Sequence, residues 1–522
     1  MSHPVIPVPV RFDPGPSRFA WRPGTRISSA DPAVAPLVER FCAEIGRRTG
    51  LRLTPRAGDP APDEPPAMRI ELGIDDDCAV LPAPQGLPPA GGAPPDERYS
   101  LAVEPGQVVL RAAGPAGVAR GLTTLVQLAV TADRDDGAVW LPGARIADAP
   151  RYAWRGLSLD LARAFFTLAE IRRVIDLLAL YKLNVLHLHL TDDQAWRLPA
   201  GDQPRDGAFY TAADLRALVG YAADRFVTIV PEVDTPGHAA TLMRMHPELN
   251  SGRNGVDRTS PLGQEQRAVW LDPELPATFT VMEEVLAEVV GIFPGPFFHI
   301  GSDEPWGMPR DLYVSYVRRV RDLVRAVGKR PLGWQESARA GLRPDDMIQY
   351  WLSGVALVPS LPAEVRATIE ADLAEARRDV ETAAEARVPV IVSPQSHCYL
   401  DVPYADPPGD PTQAGRYGRV GLRLYSPVTL AHSFGWQPAG ALGPGRAAQV
   451  AGVEAAIWAE TIADFGDLSF LLLPRLPGIA EKAWGDPRAA GWNEHRDRLA
   501  WHARLWAQDG LEYFHAATVS WH

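Results

Sequence analysis

The sequence predicts an α/β protein: a (β/α)8 TIM barrel preceded by a small α+β domain. Three observations lead to this prediction. From Arg151 onward, eight apolar runs of strand length alternate with helical stretches, which is the pattern of a parallel barrel. The first 150 residues contain several strand-like runs and two clear helices, which is typical of a separate small layer. The chain of 522 residues is long enough for both units.

The N-terminal domain, residues 1–150, opens with a strand end and an amphipathic helix in RISSADPAVAPLVERFCAEIGRRTG. Strand-like runs follow in MRIELGID, YSLAVEPGQVVLRAAG and AVWLPGARIAD, with turns between them. In GVARGLTTLVQLAVTA, the side chains of Leu122, Leu125 and Leu128 share one face of a second helix. These elements predict a small α+β layer.

The barrel domain, residues 151–522, contains the eight strand-like runs. In order they are GLSLDLA, NVLHLHL, FVTIVPEVD, PFFHIGSDE, RPLGWQE, MIQYW, VPVIVSP and GVEAAIWAE. Helical stretches such as TLAEIRRVIDLLALYK and RDLYVSYVRRVRDLVRAVG lie between them. An open doubly wound sheet is the alternative, and the lack of a glycine-rich phosphate loop after the first run disfavours it.

A long charged stretch, residues 361–386, interrupts the regular alternation between the sixth and seventh runs. Its composition favours a helix. We expect a helical insertion that is either a solvated surface helix or, alternatively, a lid or a dimer contact.

Composition excludes some classes of partner. The net charge is −12 and no basic stripe is visible, so we expect no nucleic acid. No run is long enough to span a membrane, and the N-terminus lacks the pattern of a signal peptide. Three scattered cysteines, Cys42, Cys78 and Cys398, form no disulfide framework. We therefore expect a cytoplasmic protein; secretion and the oligomeric state stay open.

Charged and aromatic residues follow the strand-like runs at their C-terminal ends, which form one rim of a (β/α)8 barrel and carry the active site. In chain order they are Asp160, Arg163, Thr191, Asp192, Asp193, Glu232, Asp234, His238, Asp303, Glu304, Trp334, Glu336, Trp351, Tyr399, Asp401, Trp458 and Glu460. Carboxylates and an arginine bind hydroxyl groups, and indole rings pack against the apolar faces of a sugar. The rim therefore suits a carbohydrate.

Each of these features has a simpler explanation. Asp303 and Glu304 alone could mark a helix N-terminus, where acidic residues favour the helix dipole. His187 and His189 share a strand face and could bind a metal ion, but no third ligand is apparent at a suitable spacing, so we expect no metal and no cofactor. A lone His238 is more often structural. The convergence on one rim is what favours catalysis.

Eight motifs occur in a fixed order from Arg155 to Glu460: RGLSLDLARAFF, YKLNVLHLHLTDDQAWRL, VPEVDTPGHA, FHIGSDEP, GWQE, QYW, CYLD and AAIWAE. Together they resemble glycoside hydrolase family 20, the β-N-acetylhexosaminidases. The N-terminal VIPVPV and AGPAGVARGLTTLVQL resemble the small α+β domain of that family. The resemblance implies an exo-acting, retaining enzyme that removes terminal GlcNAc or GalNAc from an oligosaccharide or glycoconjugate.

The resemblance also implies substrate-assisted catalysis, in which the substrate's 2-acetamido oxygen attacks and an oxazolinium ion forms. Glu304 would act as general acid and base, Asp303 would orient the acetamido group and stabilise its charge, and Tyr399 would hydrogen-bond its oxygen. Asp192 and His238 would form a relay behind Glu304. The substrate-binding residues implied by the same match are Arg163, Trp334, Trp351, Asp401, Trp458 and Glu460.

Four positions depart from the family pattern. Ala164 and Leu188 replace a histidine and a tryptophan, and Ser302 replaces a glycine before the acidic pair. Leu424 or Tyr425 stands where a further tryptophan is expected. The natural glycan therefore stays open. The alternatives are a disaccharide-releasing or glycan-specialised relative, a catalytically silent glycan-binding protein, and a metal-dependent hydrolase.

Overall fold

The computed structural model describes residues 3–58, 68–82, 87, 93–199, 208–259, 265–354, 358–359, 361, 363–485 and 491–522. Within these residues, a mixed sheet with helices comes first and a closed parallel barrel follows. The predicted fold class, a (β/α)8 barrel preceded by a small α+β domain, is confirmed.

The N-terminal layer is built on one mixed sheet with the strand order β1-β8-β5-β6-β4-β2-β3, and β7 pairs with β8 outside that path. Its strands are β1 Arg11–Trp21, β2 Arg26–Ser29, β3 Thr54–Ala57, β4 Met68–Leu72, β5 Tyr99–Glu104, β6 Gln107–Ala112, β7 Asp133–Asp135 and β8 Ala138–Asp148. Its helices are α1 Ala35–Thr49, α2 Asp76–Ala79 and α3 Pro115–Thr131.

Helix α3 lies between this sheet and the barrel. A Cβ atom at Gly117 would come within 2.4 Å of the carbonyl oxygen of Arg98, just before β5, so a glycine is needed where the helix approaches the sheet. On the barrel side, Gln127 Nε2 donates a hydrogen bond to the carbonyl of Leu180. Helix α3 therefore contacts both the sheet and the barrel.

The barrel closes through parallel pairing in the order β9-β10-β11-β14-β15-β16-β17-β18. Its strands are β9 Trp154–Asp160, β10 Val185–His189, β11 Thr228–Glu232, β14 Phe297–His299, β15 Arg330–Trp334, β16 Met347–Tyr350, β17 Val390–Val392 and β18 Val450–Ile457. Strands β9, β10 and β11 are buried along their whole length, which explains why they appear in the sequence as continuous apolar runs. The hairpin β12 Gly255–Thr259 and β13 Glu265–Val269 is inserted before β14.

The helices of the barrel domain surround these strands. They are α4 Leu168–Leu180, α5 Ala212–Ala223, α6 Ala240–Met245, α7 Pro276–Ile292, α8 Arg310–Ala326, α9 Ala363–Glu385, α10 Gln395–Cys398, α11 Ala414–Arg419, α12 Leu430–Phe434, α13 Phe465–Leu472, α14 Arg475–Trp484, α15 Trp492–Leu499 and α16 Ala503–Gln508. A capping box of Thr167 and Glu170 starts α4. Among the described residues we find no helix that is long and apolar enough to cross a membrane.

Helix α9 occupies the connection between β16 and β17, the sixth and seventh strands of the barrel. It packs on the short 3-10 helix Gln335–Ala340, and Arg339 of that helix pairs with Asp379 at 3.0 Å. Ala376 and Ala383 are fully buried in the contact. The charged stretch is therefore docked on the barrel along one face.

A buried ion cluster joins the two layers. Glu97, just before β5, accepts hydrogen bonds from Arg120 of α3 and Arg155 of β9 at 2.7 and 2.8 Å. All three side chains are almost completely buried. Burial raises the pKa of Glu97, but the two guanidinium groups lower it by more, so the pKa lies below its usual value.

Candidate active site

The acidic pair follows β14 in a turn that has unusual backbone geometry. Gly301, Ser302 and Glu304 have φ angles of 64°, 80° and 41°. A Cβ atom at Gly301 would lie 1.7 Å from Asp234 Oδ1, so no other residue fits there. Helix α8 begins only at Arg310, and the acidic pair is therefore not a helix N-terminus.

Ser302, which stands where the family pattern has a glycine, stabilises this turn. Its N–H donates to Asp234 Oδ1 at 3.0 Å, and its hydroxyl donates to the carbonyl of Thr235 at 3.1 Å. Its own carbonyl accepts a hydrogen bond from Tyr313 at 2.7 Å. The side chain is completely buried, so the extra hydroxyl supports the backbone of the turn and does not face the pocket.

Asp303 and Glu304 lie in contrasting environments. The Asp303 side chain is 12% exposed and that of Glu304 is 36% exposed. Burial and the neighbouring carboxylate of Asp234 raise the pKa of Asp303 well above its usual value. Among the described residues, no side chain or backbone group hydrogen-bonds Asp303 Oδ1. One acid is therefore enclosed and has a free acceptor atom, while its neighbour is open to solvent.

His238 stands between the acidic pair and Asp192. Its Nε2 atom lies 3.9 Å from Asp303 Oδ2 and 3.8 Å from Glu304 Oε2, and its Nδ1 atom lies 3.3 Å from Asp192 Oδ1. Although burial lowers it, the carboxylates of Asp192 and Asp234 hold the pKa of His238 well above its usual value. The structure thus brings the sequence-predicted relay next to both acids.

The hydrogen-bonded chain continues from Asp192 into the barrel interior. Asp192 Oδ2 lies 3.1 Å from His189 Nε2, and His189 Nδ1 lies 2.6 Å from Glu232 Oε2. Glu232 also accepts a hydrogen bond from the indole of Trp334 at 2.9 Å. We call Glu232, His189, Asp192 and His238 the relay chain. The two inner members were not assigned a role from the sequence, because only the closed barrel brings β10 and β11 into this register.

Further histidines surround Glu232 in the barrel interior. His187 Nε2 and His299 Nδ1 lie 3.1 and 2.9 Å from its carboxylate, and His187 Nδ1 lies 2.9 Å from Glu454. His187, Glu232 and His299 are close enough together to hold a metal ion. The sequence showed no third ligand near His187 and His189, and the fold supplies candidates from β11 and β14.

Aromatic side chains wall the space beside the acids. Trp351 stacks on Tyr399 with ring centroids 6.0 Å apart, and Trp458 lies 6.1 Å from Tyr399 and 6.0 Å from Trp334. These four come from the ends of different barrel strands. They form one cluster of the size and chemistry that packs against a sugar ring or an acetamido methyl group.

The predicted hydroxyl-binding residues lie on the same rim. Arg163 Nη2 lies 2.6 Å from Asp192, and its guanidinium carbon is 5.4 Å from the Trp458 ring. Burial and the nearby Glu460 raise the pKa of Asp401 to about 8. Asp401 Oδ2 has no hydrogen-bond partner among the described residues. Arg163 is thus held by an ion pair, while Asp401 has a free acceptor.

Comparison with known sequences assigns both parts of the chain. The profile of "Glycosyl hydrolase family 20, catalytic domain" matches residues 152–487, and that of "Glycosyl hydrolase family 20, domain 2" matches residues 2–149. The chain belongs to glycosyl hydrolase family 20. It is therefore a glycoside hydrolase of the β-N-acetylhexosaminidase type.

Individual relatives agree with the family assignment. A β-N-acetylhexosaminidase of Cellulomonas fimi is 36% identical over 446 residues, which are 83% of this chain and 82% of the relative. The solved N-acetyl-β-hexosaminidase of Streptomyces plicatus has a TM-score of 0.80 and 30% identity, covering 99% of this chain and 98% of that one. A family 20 structure from Streptomyces coelicolor has a TM-score of 0.79 and 29% identity over 99% of each chain.

Three residues near the acidic pair were not found from the sequence. Trp306 follows the pair after Pro305, Arg258 lies on the hairpin strand β12, and Asp372 lies on helix α9. Arg258 stacks over Trp306 at 3.8 Å from the ring centroid. Burial and the charge of Glu304 raise the pKa of Asp372, and the charge of Arg258 lowers it. A tryptophan two residues after the acidic pair was the only signal available in the sequence.

Proposed function

We propose that the rim removes a terminal N-acetylhexosamine by substrate-assisted catalysis, with Asp303 and Glu304 as the two catalytic carboxylates. The observation that carries the proposal is their contrast: Asp303 is enclosed with a free acceptor oxygen, and Glu304 is open to solvent. An ordinary retaining glycosidase needs a carboxylate nucleophile opposite its acid. Two neighbouring acids on one turn suit a mechanism in which the substrate supplies the nucleophile.

Asp303 would accept a hydrogen bond from the acetamido N–H of the substrate through Oδ1. Its pKa is high because burial and Asp234 disfavour the charged carboxylate. A positive charge that develops on the acetamido group during attack would favour the carboxylate form again. The interaction would therefore be stronger in the transition state than in the empty site, which is what lowers the barrier.

Glu304 would protonate the leaving oxygen and then deprotonate the incoming water. Because Glu304 is exposed, the leaving oxygen and the water can both reach its carboxylate. His238 Nε2 lies 3.8 Å from that carboxylate. Although burial raises it, Arg163 and His238 hold the pKa of Asp192 well below its usual value. Asp192 therefore stays anionic and would hold His238 in place while the charge on Glu304 changes.

The remaining residues would form a closed pocket for one sugar. Tyr399 would hydrogen-bond the attacking acetamido oxygen. The residues that would bind the ring and its hydroxyls are Arg163, Trp334, Trp351, Asp401, Trp458 and Glu460. A solved mutant of the Streptomyces plicatus β-hexosaminidase is a complex with its product GlcNAc, and we propose that this chain accepts terminal GlcNAc or GalNAc in the same way.

The experiment uses aryl β-GlcNAc and β-GalNAc substrates with the wild type, Glu304→Gln and Asp303→Asn. We expect each variant to lower kcat/KM by about 10²-fold or more, since each removes a proton donor or a charge-stabilising group. Glu283→Gln, an exposed change on α7, is the matched control. EDTA should leave the wild-type rate unchanged. A fully active Glu304→Gln protein would contradict the assignment, and a rate lost to EDTA would favour a metal-dependent hydrolase.

We also propose a division into two domains at residues 150 and 151, and a cytoplasmic location. The division is supported by the short link between β8, which ends at Asp148, and β9, which begins at Trp154. The location is supported by three unpaired thiols, Cys42, Cys78 and Cys398. Limited proteolysis tests the first proposal and cell fractionation tests the second.

A further inference from the structure

A cavity of about 270 Å³ lies against Glu304 and shares only Trp351 with the aromatic cluster. Trp306 and Met308 form one side of it, and Ile369, Asp372 and Glu375 of helix α9 form the other. Leu424 and Tyr425 complete the wall. Its volume is close to the lower limit of about 300 Å³ for small-molecule pockets. The cavity can therefore hold a group of about the size of one monosaccharide.

The position of Glu304 indicates which part of the substrate this cavity binds. In the proposed function, Glu304 delivers its proton to the oxygen that links the two sugars, so the departing group lies beside it. The cavity shares Glu304 and Trp351 with the site but not Trp334, Trp458 or Asp401. It is thus placed to receive what leaves, and not the sugar that is attacked.

Helix α9 forms a fixed wall of the cavity. Glu375 pairs with Arg310 at 2.6 Å and with Arg339 at 3.3 Å, and Asp379 pairs with Arg339. These contacts tie the helix to α8 and to the 3-10 helix Gln335–Ala340. Two of its acidic groups are therefore neutralised by arginines and hold the helix in position.

Asp372 differs from these two acids, although it lies on the same face one turn earlier. It is half-buried at the cavity wall, and within the described part of the chain no hydrogen bond or ion pair occupies its carboxylate. Burial and the nearby Glu304 raise the pKa of Asp372 to about 6. An unpaired, partly buried carboxylate that faces a cavity is an acceptor for a ligand's O–H or N–H groups.

We propose that this cavity is the leaving-group subsite, that it takes a second, uncharged pyranose, and that Asp372 accepts a hydrogen bond from that sugar. Trp306, Ile369 and Leu424 supply the apolar surface for its ring. This inference rests on the proposed function. It also makes the helical insertion a determinant of substrate choice. Leu424 and Tyr425, which stand where a tryptophan was expected, become part of the wall of this subsite.

The test compares two substrates that contain the same terminal GlcNAc and that both need protonation of an alkoxide leaving group. One is the β-1,4-linked GlcNAc disaccharide and the other is methyl β-GlcNAc, which has no second ring. We expect Asp372→Ala to lower the ratio of their kcat/KM values, disaccharide over methyl glycoside, about tenfold, the size of one hydrogen bond to a charged group. Ile369→Ala should lower the same ratio.

Glu370→Ala is the matched control, because it removes an exposed carboxylate from the same helix outside the cavity. It should leave the ratio unchanged. The subsite is disproved if Asp372→Ala and Ile369→Ala leave the ratio at its wild-type value, whether or not the two rates fall together. A wild-type protein that hydrolyses neither substrate would instead overturn the proposed function and the subsite with it.

Discussion

At the scale of single residues, the site depends on how buried acids are partnered. Asp303, Asp192 and Glu232 are all enclosed, yet the pKa of Asp303 is raised while the pKa values of Asp192 and Glu232 are held well below the usual range. The difference lies in their neighbours. Cationic or histidine side chains hydrogen-bond the last two, whereas Asp303 is buried beside the carboxylate of Asp234 and comes no closer than 3.9 Å to His238.

The inner end of the relay chain offers a prediction on the pH dependence of catalysis. Although burial lowers it, Glu232 and Asp192 hold the pKa of His189 well above its usual value. Glu232→Gln removes that charge, so His189 should lose its proton at a lower pH. We expect the alkaline limb of the kcat/KM profile to move to lower pH and kcat to fall, because less of His189 stays protonated at neutral pH.

The matched control for this change is Glu454→Gln. Glu454 is an equally buried carboxylate of the barrel interior that contacts His187 and Trp154. Its replacement should lower stability but leave the pH profile in place. Equal shifts in both variants would show that loss of core charge, and not the relay chain, moves the profile.

The sequence could predict which residues gather on the rim, because parallel barrel strands all end on the same side. It could not predict that Arg163 is held by Asp192, or that Ser302 turns its hydroxyl toward the backbone of Thr235. These details depend on side-chain contacts between strands far apart in the chain. They decide which atoms stay free for a substrate.

At the scale of elements, the eight barrel strands and the helical insertion at residues 361–386 were predictable, whereas the hairpin before β14 was not. Fully buried parallel strands appear as continuous apolar runs. The hairpin of β12 and β13 reads GVDRT and EQRAV, with too little apolar alternation to be recognised. Helix α9 is charged around most of its surface, and only its long-range pairs with Arg310 and Arg339 show which face is docked.

Helix α4 allows a test of element stability without a change in the site. The hydroxyl of Thr167 accepts from the N–H of Glu170, and the carboxylate of Glu170 accepts from the N–H of Thr167. Thr167→Ala should lower the free energy of unfolding by about 1 kcal/mol, measured by urea denaturation, and leave kcat/KM unchanged. Thr280→Ala, at an exposed position within α7, should cause no loss. Equal losses in both would exclude the cap as the cause.

At the scale of the whole molecule, the N-terminal layer and the barrel are joined through buried charge. Arg120 and Arg155 come from different layers and share Glu97. Lys182, which precedes β10, pairs with Asp148 at the end of β8 at 2.8 Å. Such pairs contribute little net stability when complete, but removing one partner leaves a buried charge unpaired. These pairs could not be predicted from the sequence, since the partners are 23 to 58 residues apart.

Glu97 provides a prediction at this scale. Glu97→Ala should lower the free energy of unfolding by about 3–5 kcal/mol, while Glu104→Ala, a more exposed acid of β5 that pairs with Arg145, should change it by less than about 1 kcal/mol. Thermal and urea unfolding measure both. Similar losses in the two variants would contradict a special role for the buried cluster.

The pKa of Glu97 adds a pH dependence to this prediction. Because its folded-state pKa lies below the unfolded value of about 4.3, the cluster stabilises the fold above that pH and stops doing so as the pH falls through the folded value. The wild type should therefore lose stability below about pH 4. Glu97→Gln should show a smaller loss over the same range.

The central claim is that the substrate's acetamido oxygen is the nucleophile beside Asp303 and Glu304. The most direct measurement is kcat/KM for aryl β-glucosaminides whose N-acetyl group contains zero, one, two or three fluorine atoms. Fluorine withdraws electrons and weakens the attacking oxygen. We expect kcat/KM to fall steadily with each fluorine, and a kcat/KM that stays constant across the series would rule out the acetamido oxygen as the nucleophile.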